Sequence, residues 1–479
     1  IFGVTYYFPL NNLNSLVNVM NNNSSYIDIS ERKLLLRFLD ITLIITGIFL
    51  ASDYTSFSYI DSYNTSIFNW LILLAFYFLF FGEVFQLYDL KISASRFKII
   101  KNLSLASLVT TFVFVLTPFY SPSLPENRIQ IIYLFLLLIL PVLCWRLAYI
   151  ALLFSPKFFK EIVIISHSST INELLELTKD DHHHNVGKYL SNNKNASFEN
   201  FVNINEANIY EIVRSNNIKE VIINTSGFST EIIKKINRDL ILLFEEGINI
   251  KSSESFYEEI TASVPKNYLD FNFYKNMNLS CNSNKRFYKL FHRFLDILIS
   301  LIGLLIFMVI LPLIFILNIF INKGPLFYTQ IRVGKNGQNF NIFKLRSMVV
   351  NAETSGAVYA QKNDTRITKF GKFLRKTRLD EVPQFFNILK GDMSIIGPRP
   401  ERPEFVKGLE EKVPFYAIRH VVKPGLTGWA QVKFPYAGTL EEQEKKLRYD
   451  LFYIKEQSMF LDFKIIIKTI TTVLFFRGQ

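Results

Sequence analysis

Four long apolar runs in the first third of the chain constrain its fold more than any other feature. Each is close to the roughly 20 residues that a helix needs to span the hydrocarbon core of a bilayer. Hydrophobic residues make up 49% of the 479 residues, which fits a membrane protein with soluble parts better than a soluble protein. We therefore predict four transmembrane helices, over residues 34–51, 67–87, 103–120 and 129–154.

Lysine and arginine are unevenly distributed among the loops between these runs. Basic residues precede the first run, separate the second from the third and follow the fourth, whereas residues 52–66 carry none and residues 121–128 carry only Arg128. The positive-inside rule then places both flanking segments in the cytoplasm. Arg37 and Asp40 lie near the start of the first run and thus near a helix end, where we expect their side chains to reach the interface.

The composition changes after the fourth run, and short β-branched runs alternate with amphipathic ones up to about residue 252. This alternation predicts a mostly parallel α/β unit. A dinucleotide site would need glycines after the first strand, but residues 166–169 read Ser-His-Ser-Ser, so cofactor binding is disfavoured. The histidines at 182–184 are interpreted as a solvated loop. Strands are predicted at 161–165, 220–223 and 248–250, and helices at 170–177 and 230–244.

A fifth apolar run, residues 294–321, is also long enough to span a bilayer. Basic clusters lie on both sides of it, so a crossing would leave one cluster on the outer face. Pro312 removes a backbone hydrogen bond within the run and favours a bend at Leu311-Pro312. We therefore predict a re-entrant hairpin that enters the bilayer and returns, rather than a fifth span.

The net charge of +12 originates in the C-terminal part of the chain. Residues 285–479 contain 31 of the 53 basic residues but only 16 of the 41 acidic ones. Such an excess of positive charge suits phosphate-bearing substrates or anionic lipid headgroups. Two alternating runs joined by Asn336-Gly337 predict a β-hairpin in this part, after which Lys344 and Arg346 are expected to face the same side.

Two adjacent carboxylates, Asp380 and Glu381, follow a basic amphipathic segment that suits either the membrane interface or packing on its own domain. Because Pro383 is compatible only with a helix start, we place the carboxylates at the beginning of a helix that ends at Lys390. They either complement the helix dipole or bind Mg²⁺ and attack phosphorus. Arg399 favours the second role, since its loop contains three prolines and a guanidinium matches phosphate oxygens.

The C-terminal part resembles the bacterial sugar transferases, monotopic phosphoglycosyl transferases that start exopolysaccharide and O-antigen units on polyprenyl phosphate. The resemblance covers about residues 285–479. The four-helix and α/β parts look like those of the family's large members. The matching stretches are HRFLDI at 292–297, FKLRSM at 343–348, LDEVPQ at 379–384, GDMSIIGPRP at 391–400 and KPGLTG at 423–428.

The resemblance implies a role for each matched residue. Asp380 would attack the sugar-bearing phosphorus of a UDP-sugar, releasing UMP and forming a covalent phosphosugar, and Glu381 would bind Mg²⁺. Polyprenyl (undecaprenyl) phosphate would then accept the phosphosugar. Arg293 and Asp296 would meet the lipid phosphate and fix the membrane hairpin, which bends at Pro312. The other substrate-binding positions would be Lys344, Arg346, Arg375 and Arg399.

The implied architecture is a membrane α protein with α/β parts: four transmembrane helices, a Rossmann-like domain and a mainly α catalytic domain with a re-entrant helix and a small β-hairpin. It would act at the cytoplasmic face of a bacterial inner membrane, with a UDP-sugar, polyprenyl phosphate and the bilayer as partners and no nucleic acid. The parts are an N-terminal tail (1–31), the transmembrane region (32–156), the Rossmann-like domain (157–256), a linker (257–284) and the catalytic domain (285–479).

Two other functions remain open at this point. One is a catalytically silent membrane scaffold for polysaccharide assembly, and the other is an ordinary glycosyltransferase, which would release UDP instead of UMP. The identity of the sugar, the role of the α/β domain, homo-oligomer formation and the position of the true N-terminus are also left open.

Overall fold

The structure is a computed structural model in which the chain divides into two compact units, Ile1–Ser253 and Glu254–Gln479. Helices dominate both units. The largest sheet within the described residues has five strands. The structure describes residues 29–61, 64–89, 96–153, 160–179, 181, 184–194, 198–216, 218–269, 286–350, 352, 364–434 and 438–474.

Four apolar helices form the first part of the N-terminal unit. Leu36, Phe78 and Leu138 belong to their common buried core, whereas large side chains such as Phe38 and Phe112 remain exposed. An apolar surface outside an apolar core is typical of helices in lipid, and all four are long enough to cross a bilayer. The helices are α1 (Ile29–Tyr54), α2 (Ile67–Val84), α3 (Arg96–Val115) and α4 (Ile129–Leu153).

The sequence led us to expect the side chain of Asp40 at the membrane interface, but the structure places it elsewhere. It is fully buried on α1 and accepts hydrogen bonds of 2.6 and 3.2 Å from Arg146 of α4. Arg37 pairs with Glu83 of α2. A buried charge among apolar helices needs an opposite partner, and the partner of Asp40 lies 106 positions away. The local pattern around Asp40 could not reveal it.

A parallel sheet with three helices forms the second part of the N-terminal unit. Its strand order is 3-2-1-4-5, the arrangement of a Rossmann-like sheet. The predicted strands at 161–165 and 220–223 are confirmed, but His184 begins a strand and is buried against Asp181 instead of lying in a solvated loop. The elements are β1 (Lys160–Ile165), α5 (Ile171–Lys179), β2 (His184–Ser191), β3 (Phe201–Asn203), α6 (Ile209–Ser215), β4 (Glu220–Ile223), α7 (Thr230–Glu245) and β5 (Asn249–Ser252).

The C-terminal unit is mainly helical and contains two small sheets. The predicted hairpin is confirmed, because Asn336 and Gly337 turn the chain with φ values of 55° and 76°. The elements are α8 (Ser253–Thr261), α9 (Arg286–Ile321), β6 (Phe327–Val333), β7 (Asn339–Leu345), α10 (Lys369–Thr377), α11 (Gln384–Lys390), β8 (Ser394–Ile396), α12 (Pro403–Lys412), β9 (Gly425–Thr427), α13 (Trp429–Lys433), α14 (Leu440–Lys455) and α15 (Met459–Leu474).

The first half of the predicted linker is folded into the C-terminal unit. Val264 and Tyr268 are buried in the same core as Leu447, and the indole N–H of Trp429 donates to the carbonyl of Ala262 over 2.7 Å. The linker prediction is therefore wrong for residues 257–269. Residues 257–261 complete helix α8, and the residues that follow are held by tertiary contacts that the local sequence does not reveal. Residues 270–284 lie outside the described part.

Helix α9 is continuous from Arg286 to Ile321 and contains Pro312. Within the described residues it is the fifth helix that is long and apolar enough to cross a bilayer, and its re-entrant course stays a prediction. Most of its large apolar side chains are exposed. The residues that it buries are Asp296, Ser300, Phe307, Ile314 and Asn318.

Candidate active site

The carboxylate pair lies in a single turn of 3₁₀ helix between α10 and α11. This turn, Leu379–Glu381, buries both carboxylates, each with 8% exposure. Helix α11 ends at Lys390, as predicted, because Gly391 adopts a left-handed φ of 97°. Pro383 precedes α11 without a side-chain cap. The pair is therefore held in the interior just before α11 rather than serving as a helix cap.

Arg378 brings the chain into this turn and was missed by the sequence analysis. Its φ is +60°, a left-handed conformation that costs a side-chain-bearing residue about 1 kcal/mol. Its guanidinium Nη1 lies 3.3 Å from Oε2 of Glu381. A glycine or asparagine usually marks such a position, and neither occurs here, so the sequence offered no signal for the turn.

Glu381 is clamped between two arginines. Its Oε1 atom accepts a hydrogen bond of 2.9 Å from Nη2 of Arg399, while Oε2 faces Arg378. Burial alone would raise the pKa of Glu381, but the positive charges of Arg399 and Lys344 outweigh it and hold the pKa well below its usual range. Glu381 is therefore ionised at neutral pH.

Asp380 has the opposite electrostatic character. Its Oδ1 atom is buried and has no hydrogen-bond partner within the part of the chain that the structure describes. Burial, reinforced by the charge of Glu381, raises the pKa of Asp380 to about 6, against the opposing effect of Lys344 and Arg375. A carboxylate with one unsatisfied oxygen beside several cations is suited to attack an anionic electrophile.

Five of the predicted site residues come together: Lys344, Arg375, Asp380, Glu381 and Arg399 act on one another electrostatically. Burial, and then the charge of Arg399, lower the pKa of Lys344 to about 8. The Nε atom of Arg375 donates to the hydroxyl of Ser347 over 2.9 Å. Strand β7 thus supplies one cation, α10 another, and the proline-rich loop a third.

Other predicted positions occupy different places in the C-terminal unit. Arg293 donates to the carbonyls of Ile388 and Leu389, at the end of α11 that is remote from Asp380. Arg346 donates to the carbonyl of Pro325 over 2.6 Å, just beyond α9. These two guanidinium groups bind main-chain carbonyls in this structure.

The two membrane-hairpin positions both lie on α9. Asp296 accepts from the amide of Ile395 over 2.8 Å and from the hydroxyl of Ser394. It thereby joins α9 to β8. Pro312 lies within α9.

Replacing Gly371 by alanine is expected to destabilise the fold by about 3 kcal/mol and to abolish activity. A Cβ at Gly371 would lie 1.8 Å from the carbonyl oxygen of Ser347, so α10 must move and carry Arg375 with it. Thermal unfolding in detergent checks this expectation. Gly408→Ala on α12 is the matched control, because a Cβ there meets nothing within 4 Å. Equal unfolding temperatures for the two variants would contradict the close packing of α10.

The apolar helices fit a membrane protein, and the C-terminal unit brings a buried carboxylate pair and several cations together. The sequence profile of the bacterial sugar transferases matches residues 287–476. The sugar transferase EpsL of Bacillus subtilis (strain 168), which is uncharacterized, is 39% identical over 155 residues, or 32% of this chain and 73% of that protein. The chain therefore belongs to the bacterial sugar transferase family.

Two longer relatives have more specific names. One is the UDP-N-acetylgalactosamine-undecaprenyl-phosphate N-acetylgalactosaminephosphotransferase of Aeromonas hydrophila, 46% identical over 187 residues, or 39% of this chain and 44% of that protein. The other is the UDP-glucose:undecaprenyl-phosphate glucose-1-phosphate transferase of Klebsiella pneumoniae. It is 43% identical over 183 residues, or 38% of this chain and 39% of that protein. The chain thus matches less than half the length of these two relatives.

Proposed function

We propose that the chain transfers a sugar-1-phosphate from a UDP-sugar to undecaprenyl phosphate and releases UMP, as the first membrane step of polysaccharide synthesis. The observation that carries this proposal is the buried Oδ1 atom of Asp380, which has no hydrogen-bond partner among the described residues. Lys344, Arg375 and Arg399 supply the cations that a diphosphate needs. The names of the Aeromonas and Klebsiella relatives describe the same class of reaction and support the proposal.

The proposed reaction has two displacement steps at one phosphorus atom. A carboxylate oxygen of Asp380 bonds to the sugar-bearing phosphorus, and the bond from that phosphorus to the bridging oxygen breaks, its electron pair leaving with UMP. An oxygen of undecaprenyl phosphate then attacks the same phosphorus and restores the carboxylate. Arg399 and Arg375 are placed to neutralise the phosphoryl oxygens in both steps.

We include Mg²⁺ in this proposal, with Glu381 as its ligand. Both oxygens of Glu381 contact arginines, and the described residues contain no group of three His, Cys, Asp or Glu side chains that could hold a metal. The carboxylate pair nevertheless fits this ion, which proteins commonly bind through one or two carboxylates together with substrate phosphates. The bound ion would supply positive charge to the diphosphate.

The pH dependence of the first step should be bell-shaped. The carboxylate of Asp380 is lost as the pH falls through its pKa of about 6, and the charge of Lys344 is lost as the pH rises through its pKa of about 8. UMP release in a single turnover without acceptor should be fastest between these values. Lys344→Arg should remove the alkaline decline, because arginine stays protonated. A rate that does not fall on acidification through pH 6 would contradict the role of Asp380.

We also propose that α9 is re-entrant and that the C-terminal unit lies on the cytoplasmic face. Asp296 near the start of α9 bonds to Ile395, and Asn322 just beyond its end donates to the carbonyl of Arg346 over 3.1 Å. A straight helix of 36 residues would be about 54 Å long, well beyond the roughly 30 Å hydrocarbon core. A crossing would separate these contacts across the membrane, whereas a bend at Pro312 keeps both on one side.

Cysteine labelling tests this topology. Lys289→Cys and Lys323→Cys are introduced at exposed positions on either side of the apolar run, after the native Cys144 and Cys281 have been replaced by serine. An impermeant thiol reagent should spare both positions in intact cells and modify both in opened cells. Ser123→Cys, in the predicted outer loop, should react from outside and serves as the control. Labelling of one flanking position from outside would establish a fifth crossing.

The function is tested by incubating membranes that contain the chain with undecaprenyl phosphate and a panel of UDP-sugars. We expect UMP and a lipid-linked diphosphate sugar with at least one donor. Release of UDP instead would identify an ordinary glycosyltransferase. Absence of any nucleotide product across the panel would favour the silent scaffold. The donors include UDP-glucose and UDP-N-acetylgalactosamine, which the names of the relatives contain.

A further inference from the structure

The loop that carries Arg399 is held by an unusually complete set of main-chain contacts. The carbonyl of Pro398 accepts from the amide of Gly425, and the carbonyl of Glu401 accepts from the amide of Val333, each over 2.9 Å. The carbonyls of the two intervening residues, Arg399 and Pro400, accept hydrogen bonds from arginine side chains. The carbonyls of four consecutive residues are therefore all engaged, which leaves the backbone at Arg399 little freedom to move.

The carbonyl of Arg399 itself is bound by a buried arginine. Nη2 of Arg419 donates to it over 3.0 Å, and Arg332 donates to the next carbonyl, that of Pro400, over 3.1 Å. Arg419 is only 2% exposed, so it contacts protein groups rather than solvent. Arg419 binds only the main chain of Arg399, and the guanidinium of Arg399 separately donates to Glu381.

Arg419 is in turn held by two buried groups. Asp450 on α14 lies with its Oδ2 atom 2.9 Å from Nη2 of Arg419, and the hydroxyl of Tyr416 contacts Nη1. Asp450 and Tyr416 are 2% and 1% exposed. Asp450 therefore has no open path to a bound substrate, although an acid in this part of the chain would otherwise suggest a direct chemical role.

We propose that Asp450 and Arg419 are positioning residues for Arg399. The ion pair fixes the carbonyl of Arg399 and thereby sets where its guanidinium meets Glu381 and the donor's phosphates. The inference rests on the proposed function, because Arg399 must bind the donor for its position to matter. A fixed guanidinium is an advantage in such a site, since a displacement of about 1 Å in a binding group costs as much as 100-fold in rate.

The test is a double-mutant cycle in the full chain. The value of kcat/KM for the donor is measured for Asp450→Asn, Arg399→Ala and the double variant. We expect Asp450→Asn alone to lower it by about 10- to 100-fold, with a raised KM for the UDP-sugar. In the Arg399→Ala background the same change should have an effect within about twofold, because the two residues act as one unit. Where activity falls below detection, Arg399→Lys replaces Arg399→Ala.

Lys455→Gln provides the matched control, since it breaks another ion pair of α14, with Glu258 at 2.7 Å. The fold-reductions in kcat/KM caused by Lys455→Gln and by Arg399→Ala should multiply in the double variant. If Asp450→Asn does not fold, Tyr416→Phe is used instead, because it keeps the charges of Asp450 and Arg419. We expect Tyr416→Phe to lower kcat/KM by about threefold in the parent chain and to have no further effect in the Arg399→Ala background. If the parent chain transfers sugar phosphate but the fold-reductions in kcat/KM caused by Asp450→Asn and Arg399→Ala multiply in the double variant, the positioning role is overturned and the proposed function stands. A parent chain without transfer activity would reject the proposed function.

Discussion

Asp380→Asn is expected to slow sugar-phosphate transfer by about four orders of magnitude or more. The amide has nearly the same volume as the carboxylate but is a poor nucleophile, so the loss reports chemistry rather than packing. The structure supports a mild effect on folding, because Oδ1 of Asp380 has no described partner to lose. Transfer of labelled sugar phosphate to undecaprenyl phosphate gives the rate, and thermal unfolding checks the fold.

Glu404→Gln is the control for this variant, because it makes the same chemical change on α12 at a side chain that is 62% exposed. It should transfer at the parental rate. A covalent adduct gives a second readout after donor is supplied without acceptor. Trypsin cleaves after Arg378 and Lys390, so residues 379–390 should gain the mass of one sugar phosphate in the parent and none in Asp380→Asn. Parental activity in Asp380→Asn would eliminate the covalent mechanism.

Arg399→Ala is expected to lower kcat/KM for the donor by about 1,000-fold. Its guanidinium donates to Glu381 over 2.9 Å and is one of the charges that keep this carboxylate ionised. The variant therefore loses the guanidinium proposed to bind phosphate and also weakens the ionisation of Glu381. Arg399→Lys should recover only part of the loss, since an ammonium group cannot bind two phosphate oxygens in the same planar geometry.

Arg402→Ala tests whether this effect belongs to Arg399 or to positive charge in the loop generally. Arg402 lies three residues further along and pairs with Glu404 at 3.5 Å. We expect its replacement to change the donor kcat/KM by less than about threefold. A similar loss in both arginine variants would show that the charge of the whole loop, and not the fork at Glu381, attracts the donor.

The helix that follows the carboxylate pair was predictable because it rests on local chemistry, whereas the separate 3₁₀ turn that holds the pair was not. Pro383 allows only a helix start, and Gly391 permits the left-handed end of α11. The hairpin at Asn336-Gly337 was predictable for the same reason, since these residues accept positive φ angles. Local rules of this kind do not require knowledge of what packs against the segment.

The arginines show where local reasoning ends. Arg293, Arg346 and Arg399 are all basic residues in matching motifs, but Arg293 and Arg346 bind carbonyls whereas Arg399 faces Glu381. Carbonyl oxygens and phosphate oxygens both suit a guanidinium, so the sequence cannot distinguish the two. Arg378 and Arg419 were missed because their importance depends on a left-handed turn and on burial, respectively.

The α/β part shows a different limit. Its apolar strands β1 and β4 were predicted, whereas β2 and β3 were missed because they contain polar residues such as His184 and Asn203. Strand β3 lies at the sheet edge, where only one side pairs and apolar patterning is weak. Asp40 was misjudged because its partner, Arg146, lies on another helix.

The two hydrogen bonds of Arg293 join α9 to the far end of α11. Helix α11 also packs along α9, where the ring of Phe385 lies against Gly303. Leu379 and Val382, on either side of the carboxylate pair, belong to the same apolar cluster as Phe307 of α9. Under the proposed function, the position of Asp380 relative to α9, and hence to the bilayer, is then a property of the folded chain and not of the isoprenoid tail. Acceptors with shorter or longer tails should therefore present their phosphates to Asp380 at the same depth.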